Sequence, residues 1–297
     1  MSVELTGGSY RVVVDSEGGG ALLSADWRKP DGETVQLLAP CPASKTPFKA
    51  GCFPMLPFTN RIADGRFSFA GRDYMLPVNN AAEKVAIHGF GRLNPWLDID
   101  LSDNAMTLTQ DFAQDGIPYR YHAQQAISLS DQGLHIELSI RNDGPDAMPF
   151  GIGLHPWFVK TPQTRLSFHS DGTFTRDARG LPMAPLHSVP AFDPADPQPL
   201  GELPWLDAFF AGWRTQHARL VWPESGVALD IQAAGALRHV HIFAPDDRDV
   251  VCVEPVSHAP DAINRPQLGA ENAMDVLAPG ETLSGAATFR AMIYPPT

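Results

Sequence analysis

Glu254 stands in Val250-Val251-Cys252-Val253-Glu254-Pro255, at the tail of an apolar, β-branched run. An ionisable carboxylate in such a run costs free energy unless it is paired or used. Pro255 to Asn264 (PVSHAPDAIN) are turn-formers, so the strand is expected to stop at Glu254. A carboxylate at a strand end, facing a loop, is where a general base would sit. Two histidines could serve as its acid partner. His155 lies in GIGLHPWF, where a glycine-containing strand is expected to end as Pro156 breaks the ladder. Trp157 and Phe158 would then offer a flat apolar wall suited to the C–H face of a sugar ring. His88 lies in AIHGFG, where the glycines permit close approach of backbone or ligand. Each histidine pattern also suits a satisfied core histidine.

Other candidates are weaker by themselves. Asn60 and Arg61 follow the apolar, proline-broken stretch FPMLPFT, which suggests polar groups in a mostly apolar pocket. A guanidinium there would hold ligand hydroxyls with a fixed fork of donors, or form an ordinary surface ion pair. Asp207, in WLDAFF, reads equally as a ligand contact or a helix N-cap. His239 and His241 would share one strand face, a spacing that can bind zinc. No third ligand with metal-site spacing lies nearby, so no metal is expected. There is no nucleophile elbow, no phosphate loop and no dinucleotide fingerprint, and Asp246-Asp247-Arg248-Asp249 reads as a solvated hairpin turn.

The elements that must position these residues are short strands. The chain has 297 residues with 28 Pro and 25 Gly, enough length for one large β domain, taken here as 1–297, and little helical periodicity. Alternating runs recur, as in Tyr10–Val14, Trp96–Leu101, Leu229–Ile231 and Val240–Phe243. In Leu134–Ile140, Leu134, Ile136, Leu138 and Ile140 share one face, and His135, Glu137 and Ser139 share the other. Many such strands without intervening helices predict an all-β, antiparallel sandwich. Asp177–Trp205 carries seven prolines and is expected to be a functional loop. The net charge of −12 argues against a nucleic-acid partner. Three dispersed cysteines (41, 52 and 252) fit free thiols rather than a disulfide framework. Neither a signal peptide nor a membrane-length apolar run is evident, so a cytoplasmic protein without a membrane partner is expected. Oligomeric state is not legible.

In order along the chain, FPMLPFTNRIADGRFSFAGRDYMLPVN, IHGFGR, GLHPWF, LDAFF and VCVEPVSHAPDAIN resemble the aldose 1-epimerase (galactose mutarotase) family, in the manner of its divergent bacterial members. The resemblance covers about Phe53 to Asn264. It implies the large galactose mutarotase-like supersandwich, a free aldopyranose as substrate and no cofactor. It also implies Glu254 as general base and His155 as general acid. His88, Arg61, Asn60, Asp207 and Trp157 would contact the sugar. The chemistry agrees: anomer exchange needs one group to take the C1 hydroxyl proton while another protonates the ring oxygen. The two are expected on opposite sides of a small site, with the carboxylate ionised and its pKa raised by partial burial. Met55–Thr59, Trp157 and Ala208 depart from the galactose-active pattern, which leaves the sugar open. Two further readings stand beside the epimerase. One is a sugar-binding or sensing module without turnover. The other is a hexose-6-phosphate epimerase, which would draw on Arg66, Arg72 or Arg92. A glycosidase would need two facing carboxylates, and only Glu254 has a convincing setting.

Overall fold

The computed structural model describes residues 2–41, 50–187, 192–202 and 205–294. Among these, the helical pieces are three-residue 3₁₀ turns such as Gly91–Leu93 and Ala262–Asn264, and strands dominate. The chain is all-β, as the alternating runs predict. Two large antiparallel sheets carry the fold. The larger orders its strands Ser2–Gly7, Tyr10–Asp15, Ala21–Arg28, Cys52–Met55, Gly153–Val159, Val250–Val256, His239–Ala244, Leu206–Ala211, Gly172–Arg176 and Pro182–His187, with Thr34–Gln36 paired beside Ala21–Arg28. The smaller runs Leu97–Leu101, Ala105–Ala113, Arg120–Ser130, Gly133–Asn142, Thr282–Ile293, Val227–Gly235, His217–Trp222 and Arg165–Phe168.

The main core lies between the two sheets. Leu22 and Phe158 of the larger sheet belong to one buried cluster with Leu134, Ile136 and Phe289 of the smaller, and the Phe158 and Phe289 rings stand 5.9 Å apart. Gly133–Asn142 alternates as expected, with Leu134, Ile136, Leu138 and Ile140 buried. The larger sheet is also covered on its other face, where Phe53, Met55, Trp157, Phe209 and Cys252 form a second cluster. Its central strands are therefore buried on both sides, and every residue of Val250–Val256 is buried. That double burial is why the run around Glu254 reads as continuously apolar rather than alternating.

Three strand expectations are corrected. The Val250–Val256 strand runs through Glu254 and Pro255, and Gly153–Val159 runs through Pro156. Each residue of an antiparallel strand directs its N–H to one side only, so one proline removes one ladder bond while its neighbours keep the register. Trp157, next to Pro156, still donates its N–H to Gly51 O at 2.8 Å. The proline-rich segment is not all loop. Pro182–His187 forms an edge strand against Gly172–Arg176, with a register shift between Phe174 and Thr175. An edge strand has one unpaired side, where missing donors cost little. Pro190 and Pro204 lie outside the described residues. Asp246–Asp249 joins two paired strands as the expected hairpin turn.

Candidate active site

The catalytic candidates meet on one cross-strand row. Cys252, Glu254 and Val256 point away from the intersheet core, as do His155 and Trp157 on the neighbouring strand and His239, His241 and Phe243 on the other. The register that sets Gly153 opposite Val256 and Trp157 opposite Cys252 places His155 across from Glu254. His241 lies opposite Glu254 on its other side, and Phe53 lies opposite His155. Period-two geometry thus delivers Phe53, His155, Glu254 and His241 to one line across four strands. The same parity turns Phe158 into the core, so it is no part of an apolar wall.

His155 Nε2 lies 3.4 Å from Glu254 Oε1. The pair is adjacent, not on opposite sides of the site as expected. The His155 ring is held between Phe53, at 4.6 Å between centroids, and Trp157, at 5.0 Å. Burial drives the Glu254 carboxyl well above the usual carboxylate range, and the charge of Asp207 adds to it while Arg61 opposes it. Burial, then the Arg92 charge, drives His155 well below its ordinary value. Glu254 is wholly rather than partly buried, so the expected resting carboxylate gives way to a pair whose uncharged forms are both favoured. Among the described residues, Glu254 Oε2 and His155 Nδ1 are buried without a hydrogen-bond partner.

Around this pair the polar groups restrain one another. Asp207, in a strand and not at a helix cap, accepts from His241 Nε2 at 2.6 Å, Arg176 at 2.8 Å and Arg61 at 3.2 Å. Although burial acts in the opposite direction, these partners hold its carboxyl below the usual range. Asn60 Nδ2 also lies 3.4 Å from His241 Nε2, but the shorter Asp207 contact claims that ring N–H. Arg61 further donates to Glu83 and, at 3.0 Å, to Asn60 Oδ1. Asn60 and His88 are latched together. The His88 N–H donates to Asn60 O at 2.8 Å, and the Asn60 N–H donates to His88 Nδ1 at 3.2 Å. Both residues adopt left-handed backbone, at φ 52° and 60°. Burial keeps His88 neutral, so with Nδ1 accepting, its ring hydrogen resides on Nε2.

These side chains line one cleft of about 250 Å³ that contains Glu254, His155, His88, Arg61, Asn60, Asp207 and Trp157. Trp157 is only 3% exposed; His155 stacks on it, and the Arg248 guanidinium lies 4.8 Å over its ring. It therefore backs its neighbours and offers no open face to a ligand; the half-buried Phe243 supplies the apolar lining. The family model for aldose 1-epimerase matches residues 1–290. The chain belongs to the aldose 1-epimerase family. It is 33% identical over 294 residues to the Escherichia coli K12 protein YphB, covering 96% of this chain and 97% of that one. A solved Escherichia coli K12 structure described as a candidate aldose 1-epimerase superposes with a TM-score of 0.86 at 31% identity, covering 99% of both chains. A galactose 1-epimerase of Lactobacillus acidophilus NCFM shares the fold at TM-score 0.78 and 16% identity, over 99% of this chain and 95% of that one.

In this aldose 1-epimerase family member, part of the last motif supports the cleft rather than lining it. His258, from PVSHAPDAIN, accepts the Thr59 N–H at 3.1 Å, and Asp261 accepts the Ala63 N–H at 3.0 Å. Both brace the Asn60–Arg61 corner. Sequence reasoning considered His241 only as a metal ligand and Arg248 only as a turn residue, yet both line the cleft, as do Arg92, Asn80 and Phe243. The alternation His239-x-His241-x-Phe243 was the available signal for two of them. Asn80 and the Glu83 partner of Arg61 sit in an irregular loop with no periodic signal. Arg66 and Arg72 lie elsewhere: Arg66 lines a separate cleft with Tyr74, and Arg72 pairs with Asp146 at 2.9 Å.

Proposed function

We propose that the protein interconverts the α and β anomers of an aldopyranose, with Glu254 as general base and His155 as general acid. The observation that carries this reading is the adjacency of two buried titratable groups, 3.4 Å apart on a cleft, each retaining an unpartnered polar atom. A buried unpartnered group costs about 1–3 kcal/mol, which a structural pair would have relieved. Anomer exchange acts on two oxygens bonded to the same carbon, so its acid and base must be neighbours.

The pair holds one transferable proton. Passing it from Glu254 to His155 creates a carboxylate beside an imidazolium without changing the net charge of the cleft, and each charge stabilises the other. Glu254 then removes the C1 hydroxyl proton while His155 protonates the ring oxygen, and the C1–O5 bond opens to the aldehyde. Rotation about C1–C2 exposes the other carbonyl face. Reclosure returns both protons and completes the inversion at C1. His88 Nε2–H, Asn60 and the remaining Arg61 donor hold sugar hydroxyls in this mechanism, with Asp207 fixing Arg61 and His241 in position.

A second reading changes the sugar, not the chemistry. Arg92 and Arg248 line the cleft of a chain whose net charge is −12. Two guanidiniums there favour an anionic aldose such as a hexose 6-phosphate. Polarimetry on freshly dissolved α-D-glucose, α-D-galactose and their 6-phosphates tests both readings. An accelerated approach to anomeric equilibrium is expected, and the better substrate class decides between them. Sugar binding with only the buffer rate across the panel would sink the enzyme reading and leave a binding module.

A further inference from the structure

Cys252 is two residues before Glu254 on the same strand face, and neither proton transfer uses it. One donor atom each from His155, Cys252 and Glu254 lie within 4.8 Å of one another, and all three residues are buried. We propose that these three side chains bind a borderline or soft divalent cation, Zn²⁺ or Cd²⁺, and that filling this site stops turnover. The inhibitory part rests on the epimerase reading above; the binding part does not.

The geometry suits such an ion. Tetrahedral zinc with usual bond lengths sets nitrogen and oxygen ligands about 3.4 Å apart, and sulfur about 3.6 Å from either. His155 Nε2 and Glu254 Oε1 already stand 3.4 Å apart. The 4.8 Å limit leaves the thiol at most about 1.2 Å to close by side-chain rotation. Among the described residues, Glu254 Oε2 and His155 Nδ1, the atoms turned away from the Nε2–Oε1 contact, have no hydrogen-bond partner, so only the contact between the two groups themselves must give way to the ion. Binding expels the thiol proton, and any proton on the carboxyl, to solvent. Thiolate, carboxylate and neutral imidazole then leave a dication with no net charge, as burial requires. His155 and Glu254 line the cleft, which supplies an entry path, and Cys252 lies buried behind them. A cation held there occupies the atoms that would exchange protons with the sugar, so sugar chemistry and metal exclude each other. The expectation of no metal came from spacing along the chain. Residues 155 and 252–254 are brought together only by strand pairing.

Titration of chelator-treated protein with Cd²⁺ tests the site, read by cadmium–thiolate charge-transfer absorption. One equivalent should raise the band in the wild type and in Cys41→Ser and Cys52→Ser; the Cys52 side chain faces the intersheet core. The band should be lost in Cys252→Ala, and the affinity should fall at least about tenfold in Glu254→Gln, whose thiol is intact. In parallel, Zn²⁺ should suppress mutarotation in the wild type, reversibly with chelator, and Cys252→Ala should need at least about tenfold more. A band absent from the wild type, or one surviving Cys252→Ala, overturns the site. Turnover unchanged or raised at full occupancy overturns the inhibition. A metal-free wild type that shows no mutarotation defeats the epimerase reading alone, because the absorption still reports the metal.

Discussion

At the scale of single residues, the proposed mechanism assigns the chemistry to Glu254 and His155 and makes what surrounds them support. Glu254→Gln keeps the shape and removes the base. His155→Asn keeps a polar group and removes the acid. Each is expected to lower the mutarotation rate by roughly 10²-fold or more, while sugar binding measured by calorimetry largely remains. Near-normal turnover in either variant would remove that residue from the mechanism. Glu254 was legible because a carboxylate in VVCVEPV is costly unless used. The role of Trp157 was not, because a sequence does not show that His155 and Arg248 already cover its ring. Asp207 lines the cleft, but its three donors make it a fixed hub rather than an open acceptor.

At the scale of elements, the site depends on strand parity and on one tight corner. Parity was readable: alternate residues of His239–Ala244 and Val250–Val256 had to share a face. Which face was covered by what was not readable, because two sheets compete for the same apolar residues. The corner is Leu56 to Phe90, where Gly89 has φ +65° and a Cβ would stand 2.0 Å from Leu56 O. Phe90 N–H donates to that same carbonyl at 2.8 Å. Gly89→Ala should therefore lose at least about 1–2 kcal/mol of stability in urea denaturation. It should also raise KM more than it lowers kcat, because His88 is displaced and the Glu254–His155 row is not. Wild-type stability in that variant would show that the corner relaxes freely.

At the scale of the whole molecule, the cleft lies on the outer face of the larger sheet, and the intersheet core behind it acts as a rigid backing. That arrangement buries histidines as structural parts. Burial lowers His258 to about 4 and His239 to about 4. The unfolded chain takes up these protons near pH 6.5, whereas the folded chain resists them to about pH 4. Their contribution is thus present above pH 6.5 and lost as pH falls between the two values, by about 3 kcal/mol for each histidine. Denaturant midpoints should drop steeply from pH 6.5 to 4, and His258→Asn should flatten that slope. A slope unchanged by the substitution would remove His258 from the acid response.

The amino-acid sequence by itself determined the all-β class, the alternation within strands and part of the set of residues that enter the cleft. Hydrophobic period and turn chemistry are local properties, and Glu254, His155, His88, Arg61, Asn60 and Asp207 sit in locally distinctive settings. Only the tertiary structure decided that His155 and Glu254 are neighbours, that Phe158 faces the core, that Pro156 and Pro255 lie within strands, and that Arg248 and His241 belong to the site. Those outcomes follow from register between strands nearly a hundred residues apart, a pairing that long-range burial selects and local sequence does not encode.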